Sequence, residues 1–295
     1  MNIAGRVLSL SILPLLLVLA FEESFAGFER RCAGTRSLGT AGALSSFGED
    51  AWSFYANPAH AANISEAGLF YVPSTLGLQE VKSTGISYRD NLFGVDFSGA
   101  LQSFGYEIYR ETVISANVSI PLFDFLFVGS NVNLNHLFVK DYGTDLAASL
   151  DVGSRIFLSD RFSVGLSMTN LNSASMTQSD DMLPQSLAGG IAYLSDALNL
   201  GIDYFKELGF PSAVRVAAEY SPARFITVRT GTASGSGSFN AGLSLRLAPF
   251  TVEYGAMFHQ VLGVTHSFGV SVKFARTGES EFESIQRYRE SLRRR

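Results

Sequence analysis

The sequence is poor in charged residues and nearly free of cysteine. Charged residues make up 17% of the 295 residues, against about 25% in typical soluble chains. Cys32 is the only cysteine, which excludes an intramolecular disulfide framework and a multi-cysteine zinc site. The net charge of −5 provides no basic field to engage phosphates, so we expect no nucleic-acid partner.

Motifs of catalysis are also missing. The four histidines are scattered, and the sequence has no His-Glu-x-x-His pair, nucleophile elbow, Walker loop or dinucleotide fingerprint. We therefore expect a protein that is not an enzyme and that holds no metal and no cofactor.

One long apolar run is present, and it lies at the N-terminus. The run 7–21 follows Arg6 and precedes the small residues Ser24 and Ala26, which is the layout of a cleaved secretory signal peptide over 1–26. It is shorter than the roughly 20 residues of a membrane-spanning helix, and Pro14 interrupts it. Since no later run is long enough, a membrane-embedded mature chain would have to form a closed barrel.

From residue 67 the hydrophobic pattern has period two. In 267–274, for example, the apolar residues stand at the even positions and Ser, Gly or Lys at the odd ones. About fourteen segments share this pattern, which predicts an all-β fold, a transmembrane antiparallel β-barrel of about 14 strands over 67–274. The segments are 67–73, 82–89, 92–104, 112–120, 125–138, 144–157, 161–172, 184–194, 197–206, 212–220, 225–232, 238–247, 250–258 and 264–274.

The connections between these segments alternate in length. Short ones such as 89–91 and 248–249 alternate with mostly longer ones such as 105–111 and 171–183. Bacterial outer-membrane barrels have short periplasmic turns and longer external loops. The pattern therefore places the chain in the outer membrane of a diderm bacterium, with both barrel termini in the periplasm.

Aromatic residues gather near both ends of the predicted strands, as two interfacial girdles would require. The alternative, a soluble two-sheet sandwich, predicts shorter strands and no alternation of connection length. The turn-end set is Tyr88, Phe93, Phe123, Phe125, Phe157, Phe162, Tyr220, Phe225, Phe250 and Phe274, and the loop-end set is Phe104, Tyr106, Tyr109, Phe138, Tyr142, Phe205 and Phe258.

Residues 34–62 carry a family resemblance. Gly-Thr-Arg-Ser-Leu-Gly-Thr-Ala-Gly-Ala at 34–43, an acidic pair at 49–50 and Asn-Pro-Ala-His at 57–60 resemble the N-terminal motif of the PorV/PorQ family of outer-membrane barrels, which is related in fold to FadL fatty-acid transporters. Ala41 and His60 stand where that family usually has glycine. The C-terminal half, at 211–220 and 262–272, is similar to the family too.

The resemblance implies that 27–66 folds back into a fourteen-strand barrel as a luminal hatch. Packing against the inner wall is the expected role of Trp52, Phe54 and Tyr55, and lining a ligand route is the alternative. The hatch-motif residues are Arg36, Leu38, Gly39, Gly42, Asp50, Trp52, Tyr55, Asn57, Pro58 and Ala59.

Charged residues are expected to point into the lumen. Their signs are nearly balanced, which favours ion pairs that fill the lumen and hold the hatch over an ion-selective pore. A polar path for a solute is the alternative. The residues are Asp96, Asp145, Asp151, Arg155, Asp203, Arg215, Glu219, Arg229, Arg246, Glu253 and Lys273.

The C-terminal segments carry two further signals. Gly269, Val272 and Phe274 fit the last-strand signature of the barrel-assembly machinery, which is an expected partner along with outer-membrane lipid. In the charged tail 275–295, residues 282, 285, 288 and 292 form one apolar stripe of a short helix. The tail is either a solvated periplasmic segment or a helix that docks on a periplasmic protein or on anionic lipid.

These observations leave two main hypotheses for function. The first is a non-enzymatic component of a secretion or surface-attachment assembly, as in PorV/PorQ proteins, with a periplasmic or secretion-complex protein partner. The alternative is a FadL-like passive transporter with a hydrophobic small-molecule ligand. A barrel of purely structural role is a third, weaker hypothesis.

Overall fold

The computed structural model describes residues 27–28, 33–61, 63–179, 181–274 and 280–294. The predicted signal peptide, Cys32 and the first part of the tail lie outside the described residues. Within them, fourteen antiparallel strands form a closed barrel, in which every strand pairs with its chain neighbours and the first pairs with the last. The predicted fold class is confirmed.

Three helical segments accompany the barrel. They are α1 (Gly34–Gly39), a 3₁₀ turn at Ser53–Tyr55 and α2 (Glu281–Arg293). No helix within the described ranges is both long and apolar enough to cross a membrane. The strands are β1 (Glu66–Val72), β2 (Lys82–Leu92), β3 (Val95–Gly105), β4 (Tyr109–Pro121), β5 (Leu126–Val139), β6 (Gly143–Phe157), β7 (Phe162–Thr169), β8 (Ser186–Tyr193), β9 (Leu198–Glu207), β10 (Ala213–Ala223), β11 (Ile226–Ala233), β12 (Ser238–Leu247), β13 (Phe250–His259) and β14 (Gly263–Lys273).

The period-two pattern separates the two faces of the wall. Ser267 is 1% exposed and faces the lumen, whereas the neighbouring Phe268 is 50% exposed and faces outward. The same alternation recurs along the other strands. The outer surface is therefore an apolar band suited to lipid, and the lumen is polar.

The connections define two ends of the barrel. The turn end carries 93–94, 122–125, 158–161, 194–197, 224–225 and 248–249, and the loop end carries 73–81, 106–108, 140–142, 170–185, 208–212, 234–237 and 260–262. The connection predicted at 105–111 is shorter than expected, because β3 and β4 stay paired as far as Gly105 and Arg110. At the loop end, only 73–81 and 170–185 are long.

Four aromatic residues assigned to the girdles point inward instead, and one of them, Tyr109, donates its hydroxyl to the buried Glu111 at 2.6 Å. Phe157 is 4% exposed and packs edge-on against Phe127. Phe205 is 7% exposed and lies under the guanidinium of Arg215, and Phe104 lines the lumen. Strand parity explains this, since residues two apart share a face and both Arg155 and Asp203 point inward.

The hatch, residues 33–61, fills the turn-end half of the lumen. Many of its apolar side chains join those of the wall and of α2 in one buried cluster, while Trp52 and Phe54 pack with Phe70 in a second, so the core of this protein lies inside the barrel. The first cluster consists of Ala43, Leu44, Phe47, Ala59 and Ala61 from the hatch and its end, Phe127, Phe157, Ala192, Leu194 and Ala217 from the wall, and Ile285 and Tyr288 from α2.

Glycines on the inner wall let the hatch backbone approach closely. A Cβ at Gly129 would overlap the carbonyl of Pro58, and one at Gly165 would overlap the carbonyl of Ser45. The hatch therefore rests directly on strand backbone at these points, which only glycine permits.

We expect Gly165→Val to displace the hatch while leaving the barrel closed. Valine suits a strand, but its side chain and the Ser45 carbonyl cannot share one position. Protease cleavage within 33–61 should increase while strand content by circular dichroism is retained. Gly99→Val is the matched control, because a Cβ there meets only an ordinary contact at 3.7 Å. Equal cleavage of both variants would contradict the prediction.

Ala41 has the left-handed backbone conformation, with φ of 52°. This conformation costs a non-glycine residue about 1–2 kcal/mol. Glycine avoids that cost but loses more backbone entropy on folding, which cancels part of the gain. We expect Ala41→Gly to stabilise the hatch by about 0.5–1 kcal/mol, measured from the urea midpoint of Trp52 fluorescence. Ala43→Gly is the control and should destabilise, because Ala43 is fully buried with no positive φ.

Candidate functional site

Arg36 connects the hatch, the wall and the tail. Its Nε and Nη2 donate to the two carboxylate oxygens of Glu219 on β10, at 2.7 and 2.6 Å. Its Nη1 donates to Glu281 of α2 at 2.8 Å and to Asp50 of the hatch at 3.3 Å. The bidentate pair fixes the guanidinium plane, so one side chain positions three parts of the molecule.

Arg229 of β11 extends this arrangement along the wall. Its Nε donates to Glu219 at 2.7 Å, and its Nη1 donates to Glu253 at 2.8 Å and to the hydroxyl of Ser244. We call the connected set the ion cluster. Its members are Arg36, Asp50, Glu219, Arg229, Glu253 and Glu281.

A second anchor surrounds His60. Nη1 of Arg155 donates to Glu49 and, at 3.1 Å, to Nδ1 of His60. Since Nδ1 accepts, the proton lies on Nε2, which donates to the carbonyl of Leu44 at 2.8 Å. Arg89 donates to the His60 carbonyl at 2.5 Å. His60 has no positive φ, so its place in the motif does not require glycine.

The Asn57–Pro58–Ala59 turn is bonded to the wall on both sides. The amide nitrogen of Asn57 donates to the carbonyls of Ser45 and Ser154, at 2.8 and 3.0 Å. Its oxygen accepts the Ala59 N–H at 3.0 Å. Asn117 of β4 donates to the Pro58 carbonyl at 3.0 Å.

The other hatch-motif residues have structural contacts. The Leu38 carbonyl accepts a 2.6 Å bond from Asn240, and Gly39 packs against the backbone of β12. Gly42 has φ of 71°. Trp52 packs edge-on against the Phe70 ring, 4.9 Å away.

The remaining predicted luminal charges fall into separate environments. Asp203 accepts two bonds from Ser45 of the hatch, at 2.7 and 2.8 Å, whereas Asp96 accepts from Asn91 at 2.9 Å. Arg246 bonds to Thr227 at 3.2 Å, and Lys273 is the cross-strand partner of Glu66. Asp145 accepts backbone N–H groups of 178–179 at the loop end.

Four buried luminal charges escaped the sequence interpretation. They are Glu66, Arg89, Glu111 and Glu207. Glu66, Glu111 and Glu207 lie within two residues of a strand end, one position outside the predicted segments, whereas Arg89 is the last residue of the predicted segment 82–89. Extending the period-two pattern by one residue would have placed the first three inward, and the pattern of 82–89 already places Arg89 inward.

The last-strand signature residues divide between the two faces. Gly269 faces the lumen next to Thr35 of the hatch. Phe274 is 61% exposed at the turn end, with its ring 6.2 Å from that of Tyr88.

Helix α2 covers the turn end of the lumen. It begins with a capping box between Ser280 and Glu283, and Ile285 and Tyr288 enter the buried cluster. The Tyr288 hydroxyl donates to the Gly94 carbonyl at 2.8 Å, and Arg293 pairs with Asp124 at 2.6 Å. The apolar stripe of the tail therefore packs against the barrel itself.

The carboxylate of Glu281 makes the seating of α2 dependent on pH. Burial raises its pKa, but the positive charges of Arg36, Lys273, Arg246 and Arg229 outweigh burial and lower the pKa to about 2. An unfolded glutamate has a pKa of about 4.3. The ion pair therefore stabilises docking fully above about pH 4.5, and this contribution is lost as the pH falls toward 2.

We expect the temperature at which α2 separates from the barrel to be constant from pH 7 to 5 and to fall below about pH 4.5. Glu281→Gln should lower it at pH 7 and flatten this acid limb. The exposed Glu290 provides the matched control, since Glu290→Gln should change neither. An unaltered acid limb in Glu281→Gln would contradict the assignment.

A cavity of about 160 Å³ lies between the hatch and the loop end. Its floor includes Tyr55, whose hydroxyl donates to Ser115 at 2.8 Å. Its walls include Phe104, Asn135 and Ser149. Trp52 and Phe54 are buried in packing, so of the three hatch aromatics Tyr55 alone lines this cavity.

One side of the cavity is closed by a loop. β7 ends at Thr169 and Asn170 turns with φ of 52°, so the outer half of β6 lacks a strand neighbour on that side. Residues 170–185, here called the loop wall, run along it instead, with bonds from Leu171 N to the Leu150 carbonyl at 2.7 Å and from Asn172 to the Ala148 carbonyl at 3.0 Å. Leu183 and Pro184 of the loop wall line the cavity.

Comparison with known proteins bears on the fold. No protein-family model and no curated protein matches the sequence. The chain is similar to the Pseudomonas putida toluene transporter TodX, with a TM-score of 0.59 and 14% identity over 83% of this chain and 98% of that chain. The likeness is one of fold.

Two further structures have the same architecture. The CymD monoaromatic hydrocarbon channel has a TM-score of 0.57 at 12% identity, covering 83% of this chain and 98% of that chain. A Pseudomonas aeruginosa FadL homologue has a TM-score of 0.54 at 12% identity, covering 84% and 99%. The PorV/PorQ resemblance finds no match and stays a prediction.

Proposed function

We propose that this chain is a passive outer-membrane channel for small hydrophobic molecules. The observation that carries the proposal is the cavity of about 160 Å³ above the hatch. A cavity of about 150 Å³ accommodates benzene, so a single ring fits. The fold shared with TodX, CymD and a FadL homologue supports the same reading.

A straight path through the lumen is blocked. Below the cavity lie the hatch, the ion cluster and α2, and dislodging them would separate buried charges. The loop wall is the weaker boundary, because 170–185 is joined to β6 mostly by bonds that involve side chains rather than by a continuous backbone ladder. We therefore place the exit of the solute at the loop wall.

The experiment is uptake of a labelled ring compound by intact diderm cells that express the chain. A disulfide between Ala148→Cys and Asn172→Cys, in a Cys32→Ser background, should stop uptake when oxidised and restore it when reduced. The control disulfide joins Thr230→Cys and Ala241→Cys, which are direct cross-strand partners, and should leave uptake unchanged. Uptake no greater than in cells without the chain would refute the proposal.

The secretion-component hypothesis rests on the family resemblance alone. The apolar stripe of the tail, which motivated a docking partner, is covered by the barrel. A gentle-detergent purification from the native membrane tests this hypothesis. Protein partners in stoichiometric amount would support it over the channel.

A further inference from the structure

The cavity lining is more polar than a hydrocarbon requires. Tyr55 and Phe104 offer aromatic surface, but Asn133, Asn135 and Ser149 present amide and hydroxyl groups from two adjacent strands. Placing a purely apolar molecule against these groups would remove water from them and return no hydrogen bond. The lining therefore discriminates by chemistry as well as by size.

A hydrogen-bonded chain fixes the floor of the cavity. The Tyr55 hydroxyl donates to Ser115, which donates to the Asn133 oxygen at 2.6 Å. The Asn133 amide nitrogen donates to Asp151 at 2.8 Å. Because each group in this chain already has a partner, these residues hold their orientation and are not available to a solute.

Asn135 lies beside this chain in the cavity lining and is not fully bonded. It is 6% exposed, and its amide nitrogen donates to Ser149 at 3.0 Å and to the Ala147 carbonyl at 3.4 Å. Among the described residues, no group donates to the Asn135 oxygen, so this amide acceptor is open to the cavity. An unpartnered acceptor in a cavity lining can be satisfied by a donor from a bound molecule.

We propose that the cavity selects ring compounds that carry a hydrogen-bond donor, with Asn135 as the residue that recognises the donor. A phenol or a ring alcohol matches the cavity in size, in its apolar face and in its single donor. An alkyl benzene matches only the first two. This inference rests on the proposed function and names its substrate class.

The fluorescence of Trp52 can report ligand binding in the cavity. It is the only tryptophan, and its ring stacks on that of Tyr55 at 6.2 Å, so a molecule on the cavity floor should change its fluorescence. The full-length mature barrel in detergent is titrated with phenol and with toluene, which have nearly the same shape. We expect phenol to bind about tenfold more tightly, the effect of about one hydrogen bond.

Asn135→Leu should remove this preference and leave toluene binding unchanged or improved. Val113→Leu is the matched control, because Val113 lines the same cavity and the change reduces its volume without touching an acceptor. It should weaken both ligands equally. Strand content by circular dichroism shows that each variant is folded.

The outcomes separate this inference from the proposed function. Equal binding of phenol and toluene, or a preference that survives in Asn135→Leu, would overturn the substrate class even if cells take up both compounds. Selective binding of phenol without uptake by cells would instead refute the proposed channel function and support Asn135 as the recognition site.

Discussion

Removal of the chain after residue 279 is expected to unseal the turn end while the barrel stays closed. The strand pairings do not involve α2, but Ile285 and Tyr288 complete the buried cluster. Each contributes about 1.5–3 kcal/mol by burial, and the Glu281–Arg36 pair is lost as well. Conductance across a planar bilayer should rise, and protease should reach the hatch from the turn end.

Point variants of α2 test whether its buried side chains, rather than the presence of a helix alone, seal the lumen. Ile285→Ala should reproduce a large part of the effect, because it leaves a cavity in the cluster. Glu290→Ala, on the exposed face of the same helix, should behave like the unmodified protein. If the truncated barrel conducts and resists protease as the full chain does, α2 does not seal the lumen.

Replacement of Arg36 by leucine is expected to release the hatch. Glu219, Asp50 and Glu281 would then share a buried region with Arg229 as the nearest guanidinium of the ion cluster. Removing one partner of a buried pair typically costs about 3–5 kcal/mol. The cost falls on hatch docking, because the hydrogen bonds of the strand ladder are unaffected.

Two probes distinguish hatch release from barrel unfolding. Fluorescence of Trp52 reports the hatch, and circular dichroism reports the strands. We expect the two transitions to coincide in the unmodified protein and to separate in Arg36→Leu. Arg36→Lys should be intermediate, since an ammonium cannot make the bidentate pair. Arg224→Leu is the control, because its pair with Glu283 is 3.4 Å long with the Arg224 side chain 82% exposed. Coincident transitions in Arg36→Leu would show that the ion cluster does not hold the hatch.

The barrel was predictable because its wall obeys a strictly local rule. Successive side chains of a strand face opposite sides, so Ser267 and Phe268 reveal lumen and lipid without any knowledge of their neighbours. The same rule places Phe157 and Phe205 inward, because each lies two residues from an inward-facing charge. They were assigned to the girdles because their location near strand ends was given more weight than their parity.

Features that depend on distant packing were not predictable. The stripe around Ile285 predicts that one face of α2 is covered, but nothing local states that the barrel covers it. The loop wall arises because β7 stops at Thr169 while β6 continues, and no single segment encodes that mismatch. Similarly, the motif around Arg36 was evident, whereas its bonds to Glu219 and Glu281 join residues 183 and 245 positions apart.

The distance between Arg36 and Glu281 along the chain has a consequence for biogenesis. Arg36, on the N-terminal side of the barrel strands, is bound by a residue that lies beyond β14, the strand that pairs with β1 to close the barrel. Contacts of such sequence separation form late in folding. A chain that ends before α2 would therefore present a hatch that lacks the Glu281 pair of Arg36 and is more open to proteolysis. The ion cluster is therefore complete only in a chain that contains both the closed barrel and α2.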